Sequence, residues 1–265
     1  MKKIIPALTI AGLMLTGAFA TEGGAKLPPK EKFHLYLLIG QSNMAGRGKL
    51  TYAEAVSTDR ILKFSKENAW TPATEPLHFD KSVAGAGIGM SFARVMADAA
   101  PDVTVGLIPC AVGGTPLDRW GKGGDLYKQA VVRAKLAMKD GTLKGILWHQ
   151  GESDAGSEEK ARSYGERLAK MVASLRAELG AGEAPFVAGK LGEFLKRADK
   201  SGKPSCWPVV NEQIGALPQR VARAAAVEST GLKDKGDGVH FDTPALREFG
   251  KRYAAAMQQL QKGKP

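Results

Sequence analysis

The run Leu35-Tyr36-Leu37-Leu38-Ile39-Gly40-Gln41-Ser42-Asn43-Met44 constrains this chain more than any other stretch. Its apolar, β-favouring half stops at a glycine, and a serine follows two positions later. A short continuous apolar run closed by turn chemistry is the pattern of a strand buried on both faces of a parallel sheet. Reactive groups in such sheets sit just beyond the carboxyl ends of the strands, so Ser42 stands where a nucleophile would stand. Gly40 permits a sharp turn, and Asn43 tolerates unusual backbone angles. A serine here can equally cap the next helix, and the stretch lacks the second glycine of the G-x-S-x-G nucleophile elbow.

The rest of the chain repeats the strand-and-helix alternation. Strands are expected over 60–65, 103–109, 143–148 and 185–190, each apolar and bounded by turn residues. Helices are expected from near Ser91 to Pro101, over 126–138, from Ser157 to Leu179, and over 213–224 despite Pro218. Residues 197–208 read as a polar loop. Thr243 as cap, with Pro244 at the first helical position, opens a last helix carrying Leu246, Phe249, Tyr253, Met257 and Leu260. This alternation implies a parallel, doubly wound α/β sheet within one domain over 33–262, with no internal repeat.

The amino terminus reads differently. Lys2 and Lys3 precede an apolar run from Ile4 to Phe19, and Ala18-Phe19-Ala20 is a small-x-small cleavage site. Residues 1–20 are therefore expected to be a signal peptide, followed by a flexible Gly-, Pro- and Lys-rich lead-in over 21–32. The run is short of a full membrane span, so the mature protein is expected without one, exported to a periplasmic or extracellular space. The chain of 265 residues carries a formal charge of +11, which favours anionic partners. Its lysines and arginines are scattered, however, and no basic cluster interleaved with aromatics points to nucleic acid. Cys110 and Cys206 can pair in an exported chain or remain buried thiols.

Four loops at strand ends or helix starts carry the polar residues: Ser42, Gly113-Gly114, Gln150 with Glu152, and Asp237 with His240. Acyl transfer requires a nucleophile, an imidazole base, a carboxylate to orient it and donors for the oxyanion. All four kinds of part are present. His240 is the best base, because His34 precedes a strand, His78 sits in a loop, and His149 neighbours the better inward candidate Gln150. Asp237 lies close enough in sequence for its carboxylate to reach the imidazole, although a D-x-x-H pair alone reads as a solvated loop.

Taken together, four blocks resemble the SGNH hydrolases, and among them the carbohydrate acetylesterase branch: acetylxylan esterases of carbohydrate esterase family six and sialate O-acetylesterases. The blocks are Gly40-Gln41-Ser42-Asn43-Met44, Pro109-Cys110-Ala111-Val112-Gly113-Gly114-Thr115, Trp148-His149-Gln150-Gly151-Glu152-Ser153-Asp154 and Asp237-Gly238-Val239-His240. They occur in the family's order and cover most of the mature chain. The resemblance implies a flavodoxin-like three-layer α/β/α sandwich with a central parallel sheet of about five strands. It also implies Ser42 as nucleophile, His240 as base and Asp237 as its orienter. The wider superfamily supplies an asparagine to the oxyanion hole from the third block; here that role passes to Gln150, beside the N–H groups of Ser42 and Gly114. Glu152 is an alternative orienter of His240, or holds its turn through backbone hydrogen bonds.

The expected activity is removal of O-acetyl groups from carbohydrate through an acyl-enzyme on Ser42. Sialate O-acetylesterase is the alternative enzyme, and a glycan-binding module that has lost catalysis is the alternative of another class. No metal-ligand motif and no phosphate loop occur, so no cofactor is expected. Trp120, Trp207 and Tyr127 are aromatics that either stack on sugar or fill the core.

Overall fold

The serine-bearing run forms the first strand, β1 (Phe33–Gly40), buried at every position but His34. In this computed structural model the described residues are 27–50, 59–195 and 205–263, together with Met1. The expected signal peptide, apart from Met1, and residues 21–26 of the lead-in lie outside them; Lys30–Lys32 make a 3-10 turn leading into β1. In chain order follow α1 (Ser42–Ala45), β2 (Ile61–Phe64), β3 (Trp70–Pro72), α2 (Ile88–Asp98), β4 (Thr104–Pro109) and α3 (Asp125–Ala137). Then come β5 (Thr142–His149), α4 (Glu158–Arg162), α5 (Tyr164–Leu179), β6 (Phe186–Gly189), α6 (Trp207–Gly215), α7 (Leu217–Arg220), β7 (Ala224–Val227) and α8 (Thr243–Lys262).

The strands form one sheet in the order β3-β2-β4-β1-β5-β6-β7, parallel except for β3. Strand alternation sends Leu35, Leu37 and Ile39 of β1 to one face and Tyr36 and Leu38 to the other. The first face packs with Ile146, Trp148 and Phe186 against Ala130 of α3 and Leu168, Val172 and Leu175 of α5. The second packs with Leu107, Leu147 and Val187 against Phe92 of α2 and Phe249, Tyr253 and Met257 of α8. Helices on both faces make the three-layer α/β/α arrangement, and β1, apolar on both sides, lies at its centre.

Four local expectations are revised. The sheet has seven strands, not about five, because β3 is a three-residue antiparallel edge ending in proline and β7 is written Ala-Ala-Ala-Val. Such alanines extend a helical reading, yet they form a strand beside β6. The helix expected over 213–224 is instead α6 and α7, with Pro218 in the first turn of α7, where a missing N–H costs nothing. Trp207 and Pro208 open α6 instead of closing a loop, and 197–204 lie outside the described residues. The cap of α8 is Asp242, whose carboxylate accepts from Ala245 N–H, with Thr243 already helical.

Candidate active site

The carboxyl end of β1 is tightly specified. Gly40 has φ +132°, and a Cβ there would lie 2.1 Å from the carbonyl oxygen of His149 on β5. The Gln41 N–H donates to that same oxygen at 2.8 Å, and the Gln41 carbonyl accepts from Met44 and Ala45 N–H to start α1. Ser42 is the first residue of this single turn. From β1 the chain runs to one side of the sheet for β2–β4 and to the other for β5–β7. Ser42 therefore sits at the topological switch point, where open α/β sheets leave a crevice.

Three of the residues singled out in the sequence meet in that crevice. Ser42 Oγ is 3.0 Å from His240 Nε2, and His240 Nδ1 is 2.7 Å from Asp237 Oδ2. The other oxygen of Asp237 accepts from Val239 and His240 N–H at 3.0 and 2.8 Å, which folds the short loop around its carboxylate. Burial pushes the Asp237 carboxyl upward, but hydrogen bonds from the His240 ring and from these two N–H groups outweigh it and hold the acid well below the usual carboxylate range. An ionised Asp237 keeps the imidazole proton on Nδ1. The lone pair of Nε2 then faces Ser42 Oγ, the tautomer that can accept a proton from a hydroxyl.

Glu152 is placed elsewhere. Its Oε1 accepts from Asn43 Nδ2 at 2.6 Å and lies 3.5 Å from Nε2 of the buried His149. Burial disfavours its charge, yet the neighbouring His149 ring and the Asn43 amide hold it below the ordinary glutamate value. Asn43 also donates to the Val239 carbonyl at 3.2 Å and accepts from Phe241 N–H at 3.1 Å. The residue after Ser42 thus grips the backbone on both sides of His240. Nothing in the local sequence of Asn43 announces this contact, since its partners are nearly two hundred residues away.

Of the expected oxyanion donors, two fit the crevice and one does not. Ser42 N–H heads α1, where the first amides have no intrahelical acceptor. Gly114, in the left-handed region at φ +78°, makes no backbone bond among the described residues and borders the same cavity. The neighbouring Gly113 N–H is already given to Asp80 Oδ2 at 2.9 Å, and a Cβ on Gly113 would lie 2.4 Å from the Arg47 guanidinium. Arg47 and Asp80 form a buried ion pair at 2.6 Å that no sequence pattern revealed. Gln150 is the correction. Fully buried, its amide nitrogen donates to Asp154 Oδ2 at 2.7 Å, the Thr115 carbonyl at 3.0 Å and Gln41 Oε1 at 3.2 Å. With both hydrogens engaged there, Gln150 offers nothing to the crevice.

The crevice opens into a cavity of about 1220 Å³ whose lining includes Gln41, Ser42, Gly114, Ser153 and His240. Arg47, Lys81, Lys160, Lys235 and Glu152 also border it, with Arg47, Lys160 and Lys235 paired to Asp80, Asp118 and Asp237. Trp120 and Tyr127 are core residues, while the half-buried Trp207 packs against the core from α6. Cys110 and Cys206 are both free thiols, and burial pushes the Cys110 thiol up to about 11.

Fold and crevice together define a class, the SGNH-type hydrolases, in which a serine at the end of the first strand meets a histidine from a late loop. Two comparisons narrow the class. Residues 32–259 match the family model described as "Carbohydrate esterase, sialic acid-specific acetylesterase". A probable carbohydrate esterase of Arabidopsis thaliana is 31% identical, the match covering 92% of this chain and 96% of that protein. The chain belongs to this carbohydrate esterase family and is a carboxylic ester hydrolase, an acetylesterase acting on carbohydrate. A crystal structure of a protein from Arabidopsis thaliana superposes with a TM-score of 0.78 at 31% identity, covering 88% of this chain and 99% of that one. NanS superposes at 0.71 with 17% identity, covering 90% of this chain and all of that one. A carbohydrate acetylesterase from Xanthomonas citri superposes at 0.69 with 24% identity, covering 87% of this chain and 56% of that one. These last two are likenesses of fold.

Proposed function

We propose that the protein removes O-acetyl groups from carbohydrate through an acetyl-enzyme on Ser42, with His240 as base and Asp237 as its orienter. The observation that carries this reading is the unbroken line from Ser42 Oγ to His240 at 3.0 Å and from His240 to Asp237 at 2.7 Å. Ser42 Oγ attacks the acetyl carbon while its proton passes to His240 Nε2, and the carbonyl π pair moves onto oxygen. Ser42 and Gly114 N–H groups meet that oxyanion. Collapse of the intermediate breaks the carbon–oxygen bond to the sugar, which leaves with the proton from His240. Water then repeats the sequence on the acetyl-serine and releases acetate.

The test is acetate release from acetylated xylan and from O-acetyl sialic acid, side by side, for wild type and Ser42→Ala. Loss of release in a folded Ser42→Ala variant, with an organophosphate labelling Ser42 in the wild type, is the expected result. Label on another residue, or an active Ser42→Ala variant, overturns the assignment; a folded wild type that binds sugar without releasing acetate points to a binding module.

One observation favours the sialate reading over the xylan reading. Lys81 borders the cavity with no ion pair among the described residues, and a sugar carrying a carboxylate is attracted to its ammonium where neutral xylan is not. A higher kcat/KM on the acidic sugar that falls with added salt is expected. We propose also that the chain is exported after cleavage following Ala20, and amino-terminal sequencing of the mature protein should begin at Thr21.

A further inference from the structure

Among the described residues every aromatic ring is buried or half-buried except Phe79, and Phe79 stands beside the catalytic crevice. We propose that Phe79, flanked by Lys66 and Lys81, is a second sugar subsite for the unit next to the acetylated one, so that the preferred substrate is an acidic oligosaccharide. The inference rests on the serine-esterase reading above.

Phe79 is 42% exposed and borders a cavity of about 560 Å³. Its ring is held in place. The Arg133 guanidinium lies over it, 4.9 Å from the centroid, and is itself fixed by Asn68 Oδ1 at 2.7 Å and the Phe64 and Ser65 carbonyls at 2.8 and 3.0 Å. Arg133 does not border the cavity, so the ring turns its other side to it. The backbone is anchored on both sides as well. His78 is buried and hydrogen-bonded to the Leu38 carbonyl, and Asp80 is bound to Arg47 and to Gly113 N–H. An exposed ring with little freedom left to lose is a platform for the C–H face of a sugar.

The rim of this cavity supplies charge. Lys63, Lys66 and Lys81 border it against a single acid, Glu67. Lys63 is spent on Thr74 and on the Pro76 carbonyl, at 2.8 to 3.2 Å. Lys66 and Lys81 are exposed and have no ion pair among the described residues. A carboxylate on the stacked unit is drawn to them, and a neutral unit is not.

Lys81 also joins the two cavities. It borders the catalytic one too, and its Nζ lies 3.9 Å from the place a Cβ on Gly114 would take. Val83, 65% exposed, borders the catalytic cavity from the same loop. A chain of sugars can thus run from Ser42 past Lys81 to Phe79. The catalytic cavity alone, at about 1220 Å³, exceeds the roughly 300–1000 Å³ that enclose a drug-sized ligand, so a single sugar leaves it part empty.

The test measures acetate release by the full chain from O-acetylated sialic acid and from its O-acetylated linked trimer, with acetylated xylotriose as the neutral arm. Wild type should favour the acidic trimer over the monomer in kcat/KM. Phe79→Ala should cut that preference about tenfold, through KM on the trimer with kcat little changed. Lys66→Gln should raise KM on the acidic trimer about threefold and leave acetylated xylotriose where it was. Thermal melting checks folding, and if Phe79→Ala does not fold, Lys66→Gln at its exposed position decides alone. A wild type without preference for the trimer, or an unchanged preference in folded Phe79→Ala, overturns the subsite. A Lys66→Gln variant that treats the two trimers alike overturns its acidic class. Ser42→Ala is measured beside them: acetate release by that variant removes the underlying reading, whereas an inactive Ser42→Ala beside an unchanged Phe79→Ala removes only the subsite.

Discussion

Asn43 Nδ2 donates to Glu152 Oε1 across 2.6 Å, joining the turn after β1 to the turn after β5. The same amide group holds the Val239 carbonyl and the Phe241 N–H, so one side chain sets how far His240 stands from Ser42. Glu152 in turn leans on the buried His149, which packs edge-on against Phe241 and Phe249. The distance from nucleophile to base is thus a property of the scaffold behind the crevice as much as of the two residues themselves.

Asn43→Ala should leave the sheet intact and loosen the 239–241 loop. Misplacement by about 1 Å far from the chemistry can cost roughly 100-fold, and a loss of that order in kcat is expected here. Labelling of Ser42 by an organophosphate should slow in parallel, since it uses the same base. Unchanged labelling with unchanged kcat refutes the idea that Asn43 sets the geometry.

The central strand was legible as a local pattern, whereas the D-x-x-H loop, alone a solvated pair, was legible only beside the other three blocks. Leu35–Ile39 is apolar without interruption, and Asp237 reaches His240 across a single turn. Gln150 was misplaced for a different reason. Whether the residue closing a strand faces a crevice or the core depends on parity and register against its neighbours, and a shift of one position reverses it. Gly40 pairs with His149, and Gln41 and Gln150 follow these paired positions, so only the assembled sheet shows which of the two borders the crevice. The pair Arg47–Asp80 was invisible for want of any spacing rule between loops. The strand of alanines beside β6 was not anticipated, because alanine carries little strand propensity and its pairing is decided by packing context.

Asp237 and Glu152 were both candidates to orient His240, and the geometry separates them. Asp237→Asn replaces the acceptor of Nδ1–H with a group that also presents a donor, which lets the imidazole adopt the wrong tautomer. In a serine protease triad the same change costs about 10⁴-fold in kcat, and a loss of several hundredfold or more is expected here. Glu152→Gln keeps an acceptor for Asn43, so its loss of kcat should be much smaller. A severe Glu152→Gln beside a mild Asp237→Asn in steady-state kinetics requires the two roles to be exchanged.

Asp80 offers a test of stability that is separate from catalysis. Its side chain is 1% exposed and accepts from Arg47 Nη2 at 2.6 Å and from Gly113 N–H at 2.9 Å. Burial raises the carboxyl, but the Arg47 hydrogen bond and charge together with Gly113 N–H bring it below the usual value. Asp80→Asn leaves the Arg47 guanidinium buried without its counter-charge, and breaking such a pair typically costs about 3 kcal/mol or more. The sign with pH follows from the lowered folded value. Ionised Asp80 stabilises the fold fully above the unfolded carboxylate pKa of about 3.9, and that contribution is lost as pH falls through the lower folded value. Urea unfolding of wild type and Asp80→Asn should therefore show the full gap at pH 7 and a narrowing gap below about pH 4. A gap that stays constant from pH 7 down to pH 3 would mean that folding does not shift the Asp80 pKa, and wild-type stability that rises relative to Asp80→Asn as pH falls from 7 toward 4 would mean that Gly113 is held by a neutral acid.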